Sequence, residues 1–232
     1  MHPQTKQLEV WTSEFGRAFT DRSPQSPEEM DALWERLYKV RKTETFCRFL
    51  SPERLPCGRV LKVGCNVGAQ LGLLQRVNPR LELWGLDPQT YALEKARQQD
   101  PNMTFVEGTA FDLPFEDGYF DLIMTNVVLI HLYPSDLPAA LAEIHRCTRR
   151  YLFFHEYFSE TPCEVPYRGQ REVLWKMNYK AQYLKLFPDL RCVEECYLPY
   201  VGEDDLVDQV VLLEKTGGGG SSVAPAAGAN GG

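Results

Sequence analysis

From Arg59 onward, short runs rich in valine, leucine, isoleucine and phenylalanine alternate with longer runs in which apolar residues recur every three or four positions. That spacing predicts strands at 59–63, 81–86, 103–106, 119–125 and 150–156, with helices at 69–77, 89–99 and 135–147 between them. Strands alternating with helices make βαβ units, and hence a mostly parallel sheet covered on both faces. Further on, the pattern predicts an irregular stretch over 157–173, a helix over 174–186, and two more strands near 190–198 and 207–214. Upstream, Ser26-Pro-Glu-Glu29 supplies a cap, a proline at the first helical position and a glutamate placed to complete a capping box. A helix from 27 to about 50 is expected to follow.

Composition narrows the picture. With 232 residues, 44% of them hydrophobic and 12% aromatic, the chain can build one full-sized core. The organisation expected is a helical extension or lid over 1–50, the sheet domain over 51–215, and a flexible Gly/Ala/Ser-rich tail over 216–232. The long apolar run Phe120 to Leu132 is broken by Asp121, Asn126 and His131 and is too short to span a bilayer. No basic-then-apolar leader pattern opens the chain, so a soluble, cytoplasmic protein without a membrane partner is expected. Seven cysteines, an odd number spread over core elements, favour reduced thiols over a disulfide framework. Cys192 and Cys196, four apart on a predicted strand, are expected on one face, and no second pair completes a zinc set. A net charge of −7 argues against nucleic acid as a partner. The basic cluster Arg146, Arg149 and Arg150 falls at a predicted helix end, where cations suit the dipole.

The first strand runs into Val63-Gly-Cys-Asn-Val-Gly68, a turn whose glycines allow close backbone approach to a ligand ahead of a helix. A dinucleotide fold places a glycine two residues after the first to admit the pyrophosphate, and Asn66 stands there instead. Asp87 ends the second strand about 20 residues after the turn, where a carboxylate accepts hydrogen bonds from a ribose diol; capping the helix after Pro88 is its plainer role. A third segment, Gly108-Thr-Ala-Phe-Asp-Leu-Pro-Phe115 followed by Phe120-Asp-Leu-Ile-Met-Thr-Asn126, completes an ordered set.

This set resembles the class I S-adenosylmethionine-dependent methyltransferases. The likeness implies a Rossmann-like α/β fold with a seven-stranded, mostly parallel sheet and an N-terminal helical extension. The stretches Trp11-Thr-Ser-Glu-Phe-Gly-Arg17, Val128-Leu-Ile-His-Leu132, His155-Glu-Tyr-Phe158 and Glu164-Val-Pro-Tyr-Arg-Gly169 look, with the turn, most like the methyltransferases associated with pseudaminic acid biosynthesis, over about residues 8 to 215. The resemblance implies S-adenosylmethionine as donor, S-adenosylhomocysteine as product, and a nonulosonic sugar or its precursor as acceptor. Another small metabolite or a peptide amine is the alternative acceptor, and a monomer or homodimer is expected.

On this reading the donor is held by Lys62, Gly64, Cys65, Asn66, Gly68, Asp87, Pro88, Thr109, Ala110, Phe111, Asn126 and Val127. His131 and Glu156 follow the fourth and fifth strands at the ligand-facing edge, so they are the candidate catalytic bases. A salt bridge from Glu156 to Arg168 is the structural alternative. Phe15, Arg17, Tyr157, Tyr167 and Arg168 are the candidate acceptor contacts, with Arg168 suited to a substrate carboxylate. Lys62 is the discordant residue. Class I enzymes of this type carry an acid there, and an ammonium would face a cationic donor, which points to weakened binding or to a donor-binding protein of low activity.

Overall fold

The computed structural model describes residues 5–217. The tail expected from residue 216 therefore lies outside the described residues from 218 onward, and Thr216 itself is tied back to the Asp189 carbonyl through its amide. Among the described residues, no helix is long and apolar enough to cross a membrane and no cluster of ligating side chains could hold a metal ion.

Seven strands form the central sheet: β1 (Gly58–Val63), β2 (Leu81–Asp87), β3 (Thr104–Glu107), β4 (Phe120–Asn126), β5 (Thr148–Tyr157), β8 (Leu190–Tyr200) and β9 (Glu203–Lys215). Their order is β3-β2-β1-β4-β5-β9-β8, with β9 alone running against the rest. Consecutive strands progress outward on either side of β1, so the chain reverses between β1 and β4 and leaves a crevice at their carboxyl ends. The helices α5 (Ala69–Val77), α6 (Thr90–Gln99) and α7 (Leu137–Cys147) supply the crossovers, within two residues of the predicted limits.

Alternate residues of each strand feed two cores. Val60, Leu83, Leu122, Phe153 and Leu212 pack under the N-terminal helices and α5. Leu61, Leu86, Ile123, Phe154 and Val211 pack against α7 and α8 (Tyr179–Leu186). A parallel strand buried on both faces reads as a near-continuous apolar run; Val60, Leu61 and Val63 of β1 and Leu122 to Met124 of β4 follow this, with Lys62 the exception in β1.

The N-terminal segment forms α1 (Lys6–Thr12), α2 (Glu14–Arg22), α3 (Pro27–Tyr38) and α4 (Lys42–Phe49). Ser26 caps α3 through the Glu29 amide, as its motif predicts. The single helix expected over 27–50 is instead two. Lys39 takes a left-handed conformation (φ 59°) after closing α3 onto the Glu35 carbonyl. The Asp31 carboxylate then accepts both the amide and the hydroxyl of Thr43, at 2.8 and 2.7 Å, and so caps α4 from the neighbouring helix. This break turns Lys42 inward beneath Trp34.

Two other expectations are corrected. The helix expected from 174 begins at Tyr179, because β7 (Trp175–Lys176) pairs with β6 (Cys163–Glu164) as a short ribbon and Asn178 caps the helix through the Ala181 amide. Cys192 and Cys196 do not share a face. A bulge between Cys192 and Glu194 shifts the register, leaving Cys192 exposed while Val193 and Cys196 pack on the core.

Candidate active site

Three positive φ values within five residues shape the turn after β1: Gly64 at 64°, Asn66 at 49° and Gly68 at 82°. Asparagine is among the few side chains that enter this region at low cost. The Cys65 amide donates to the Leu86 carbonyl and the Gly68 amide to the Cys65 carbonyl, both at 3.0 Å, so the turn is stitched to β2. A side chain at Gly85 would strike Cys65 Sγ at 2.7 Å, which explains the glycine in the middle of β2. Asp87 completes the unit. One of its oxygens accepts the Asn66 amide at 2.8 Å and the other the Gln89 amide at 2.9 Å. Burial holds its carboxyl above the usual range, against those two amides.

A cavity of about 470 Å³ opens above these strand ends, roofed by α1, α2 and α3. That volume lies in the range of small-molecule sites. Of the predicted donor contacts, Lys62, Gly64, Cys65, Asn66, Asp87, Pro88, Thr109, Ala110, Phe111, Asn126 and Val127 all line it, whereas Gly68 stands behind the turn against Phe105. Three buried polar atoms of the wall lack protein partners: Asn66 Oδ1, Gln70 Oε1 and Trp11 Nε1. Buried polar atoms are almost always satisfied, so these are places for a ligand with its own donors and acceptors. Together with the Asp87 carboxylate and the open glycine turn, they fit S-adenosylmethionine, which carries a ribose diol, a purine and an amino acid.

Lys62 is buried at 2% exposure on the cavity wall. Its ammonium does not face outward. It donates to the carbonyls of Val63 at 3.2 Å and Gly64 at 3.0 Å, and burial pushes its pKa down to about 8.

His131 lies in a single 3₁₀ turn, Leu129–His131, after β4. Nδ1 sits 2.7 Å from the Val173 carbonyl, an atom that can only accept, so the proton belongs on Nδ1 and Nε2 keeps its lone pair. Burial pushes the imidazole down to about 4, and it is neutral at neutral pH. The Trp11 ring packs on it at 4.4 Å between centroids.

Glu156 is placed differently from expectation. It is wholly buried on the α7/α8 face of β5, away from the cavity lining. Its oxygens accept the Thr125 hydroxyl at 2.8 Å and the amides of Val128 at 2.9 Å and Ile130 at 3.4 Å. With burial pushing its pKa to about 7, it pins the bend after β4, where Val127 takes φ 55°, rather than pairing with Arg168.

The predicted acceptor contacts divide. Tyr157 and Arg168 line the cavity, Arg168 from an exposed position at φ 49°. Phe15 and Tyr167 stand one layer back, edge to face at 6.1 Å and each packed on Trp11. Arg17 points outward, paired with Glu14 and lying 5.4 Å over the Tyr91 ring. Several lining residues escaped prediction. Trp34, Tyr38 and Tyr200 enter from α3 and β8, and His155 joins them, with Nε2 2.6 Å from the buried Asp208 carboxylate. Tyr38 donates to the same carboxylate at 2.7 Å. The spacing of Met30, Trp34 and Tyr38 marks a buried helix stripe in the sequence, but nothing in it points to a cavity.

The sheet order, the glycine turn and the acid at the end of β2 are those of the class I methyltransferase fold. Residues 61–153 match the family model described as a methyltransferase domain. Over 91 residues the chain is 42% identical to an uncharacterized methyltransferase of Synechocystis, covering 39% of this chain and 42% of that protein. Over 98 residues it is 33% identical to a 2-phytyl-1,4-naphtoquinone methyltransferase of Nostoc, covering 39% and 42%. It spans less than half the length of these curated relatives. In fold it is similar to the Burkholderia thailandensis 1,6-didemethyltoxoflavin-N1-methyltransferase, solved with S-adenosylhomocysteine bound, at a TM-score of 0.66, 17% identity and 93% coverage of both chains. Residues 61–153 thus match a methyltransferase domain, and the chain has the class I methyltransferase fold.

Proposed function

We propose that this chain transfers a methyl group from S-adenosylmethionine to a small-molecule acceptor, of the nonulosonic (pseudaminic acid) sugar class or a precursor of it. The observation that carries the methyl-transfer reading is the tie between Asn66 and Asp87 on the wall of a cavity that His131 also lines, its Nδ1 committed to the Val173 carbonyl and its Nε2 left free.

When bound, S-adenosylmethionine supplies a methyl group that is already activated for in-line displacement. The chain has to hold and align the two reactants and keep water out. Asp87, Asn66 and the residues from Thr109 to Phe111 hold the donor. His131 Nε2 accepts the proton that an acceptor hydroxyl gives up as it is methylated, or that an ammonium must lose before its nitrogen can attack, and the Val173 carbonyl keeps the ring in the tautomer that can do so. Helices α1 and α2 form the lid. Lys6 and Gln7 reach the Glu172 carboxylate and carbonyl on the β6–β7 loop, so the two covers of the cavity clasp each other.

The sugar-acid acceptor is supported by the Glu164-to-Gly169 stretch and by Arg168 at the cavity rim. A second reading, a planar apolar acceptor, is favoured by the rings of Trp11, Trp34, Phe111 and Tyr157 in the lining and by the naphthoquinone named for the Nostoc relative. Incubation with S-adenosylmethionine and a panel of nonulosonic sugars, nucleotide-linked precursors and hydroquinones, followed by mass spectrometry, separates them. Gain of one methyl group on a sugar supports the first reading, gain on a hydroquinone the second, and gain on none across a broadened panel, with firm donor binding, indicates a donor-binding protein.

A further inference from the structure

Two lysines are buried side by side on one face of the sheet without a carboxylate to pair with. Lys62 is 2% exposed and bonded only to the turn carbonyls of Val63 and Gly64, which occupies two of its three protons. Lys42 is 0% exposed, donates to Asn126 Oδ1 at 2.6 Å and lies 3.8 Å over the Trp34 ring. Asn126 Oδ1 also meets His155 Nδ1 at 2.8 Å; of the acids near the group, Asp208 is engaged by His155, Tyr38 and Tyr200, and Asp87 by the Asn66 and Gln89 amides. Neither lysine forms a salt bridge among the described residues. Lysines are rarely buried without an acid, and each of these two raises the cost of the other.

We propose that Lys62, with Lys42 behind it, forms a subsite for the carboxylate of a bound small molecule. Only Lys62 of the pair lines the cavity, and it offers one remaining N–H, which matches a singly charged carboxylate better than a phosphate dianion. The same cavity holds the Trp11 indole N–H, a buried donor without an acceptor. The inference rests on the methyl-transfer reading for its two possible sources, the amino-acid end of the donor or an acidic acceptor.

Calorimetric titration of the full chain distinguishes them. The first probe pair is S-adenosylhomocysteine and its decarboxylated form. The second is N-acetylneuraminic acid and its methyl ester, each titrated into protein saturated with S-adenosylhomocysteine. A preference for the carboxylate of about ten-fold or more is expected in one pair, and it should vanish in Lys62→Met. Preference within the first pair assigns the subsite to the donor, and within the second to the acceptor. Thermal melting checks that the variant folds, and Lys62→Gln serves if it does not; the wild-type preference stands as a test without either. Equal binding within both pairs overturns the proposal, as does a preference that survives in a folded variant. Failure of S-adenosylhomocysteine to bind at all defeats the methyl-transfer reading instead, and the second pair, titrated into the free protein, still decides this one.

Discussion

The backbone amide of Asn66 donates to the side chain of Asp87 at 2.8 Å, so the turn after β1 and the acid at the end of β2 form one unit. The acid's other oxygen is committed to Gln89, and an asparagine at 87 would have to turn its NH₂ towards one of these two amide donors. Asp87→Asn is therefore expected to cost about 1–3 kcal/mol of stability. Thermal denaturation measures that cost, and calorimetry should show donor affinity reduced by about ten-fold or more.

His131 is held neutral by burial, with its pKa lowered from 6.5 to about 4. A depressed folded-state value means that the contribution is complete above pH 6.5 and is lost as pH falls through 4, in all about 3 kcal/mol. Glu156, raised to about 7, contributes with the opposite sign, most strongly below pH 4.5 and fading as pH rises through 7. It is common to wild type and variant, so the difference between their curves isolates His131. His131→Asn keeps a donor for the Val173 carbonyl but has no titration, and its stability should fall less between pH 6.5 and 4. If Nε2 is the proton acceptor, the same variant slows methyl transfer by about 10²–10⁴-fold while donor affinity is unchanged.

Gly16 marks where α2 crosses the end of α1. A side chain there would meet the Trp11 carbonyl at 1.8 Å, and backbone cannot yield as a flexible side chain would. Gly16→Ala should lift α1 from its seat, destabilise the protein by about 1–3 kcal/mol and raise protease sensitivity before residue 25. Unchanged melting and digestion would contradict the close packing of the lid.

Lys62 titrates near pH 8; the groups that couple to it are Lys42, Cys65 and Asp87 and, through the sheet, Glu156. Its buried thiol neighbour is held well above the ordinary range, and Glu156, raised to about 7, titrates in wild type and variant alike, so the difference between the two isolates the lysine. Carboxylate preference in the cavity should accordingly fade over that interval in wild type and show no such step in Lys62→Met. Calorimetry at three pH values reads it.

Much of this arrangement is legible in the residue pattern, because its causes are local. Ser26 and Pro27 announce α3, the glycines at 64 and 68 announce the turn, and the apolar runs of β1 and β4 announce strands covered on both faces. What escaped depends on distant partners. Lys39 breaks the expected long helix because Asp31 caps α4 across the bend, a bond that no local window contains. Glu156 lies near the end of β5, at the expected ligand edge, yet strand parity sends it to the far face; in a doubly covered strand both faces are apolar, so the pattern does not say which way a lone acid points. His155 and Asp208 meet only because β9 returns antiparallel beside β5. The bulge at Val193, which separates Cys192 from Cys196, likewise has no local mark.

The central claim is that the cavity above Gly64 and Asp87 holds the methyl donor. Calorimetric titration of S-adenosylhomocysteine against the wild-type chain and Asp87→Ala tests it most directly. The account predicts one site per chain in the wild type and affinity lower by about ten-fold or more in the variant, with the fold retained by melting. Absence of binding to the wild type, or equal affinity in both, would contradict it.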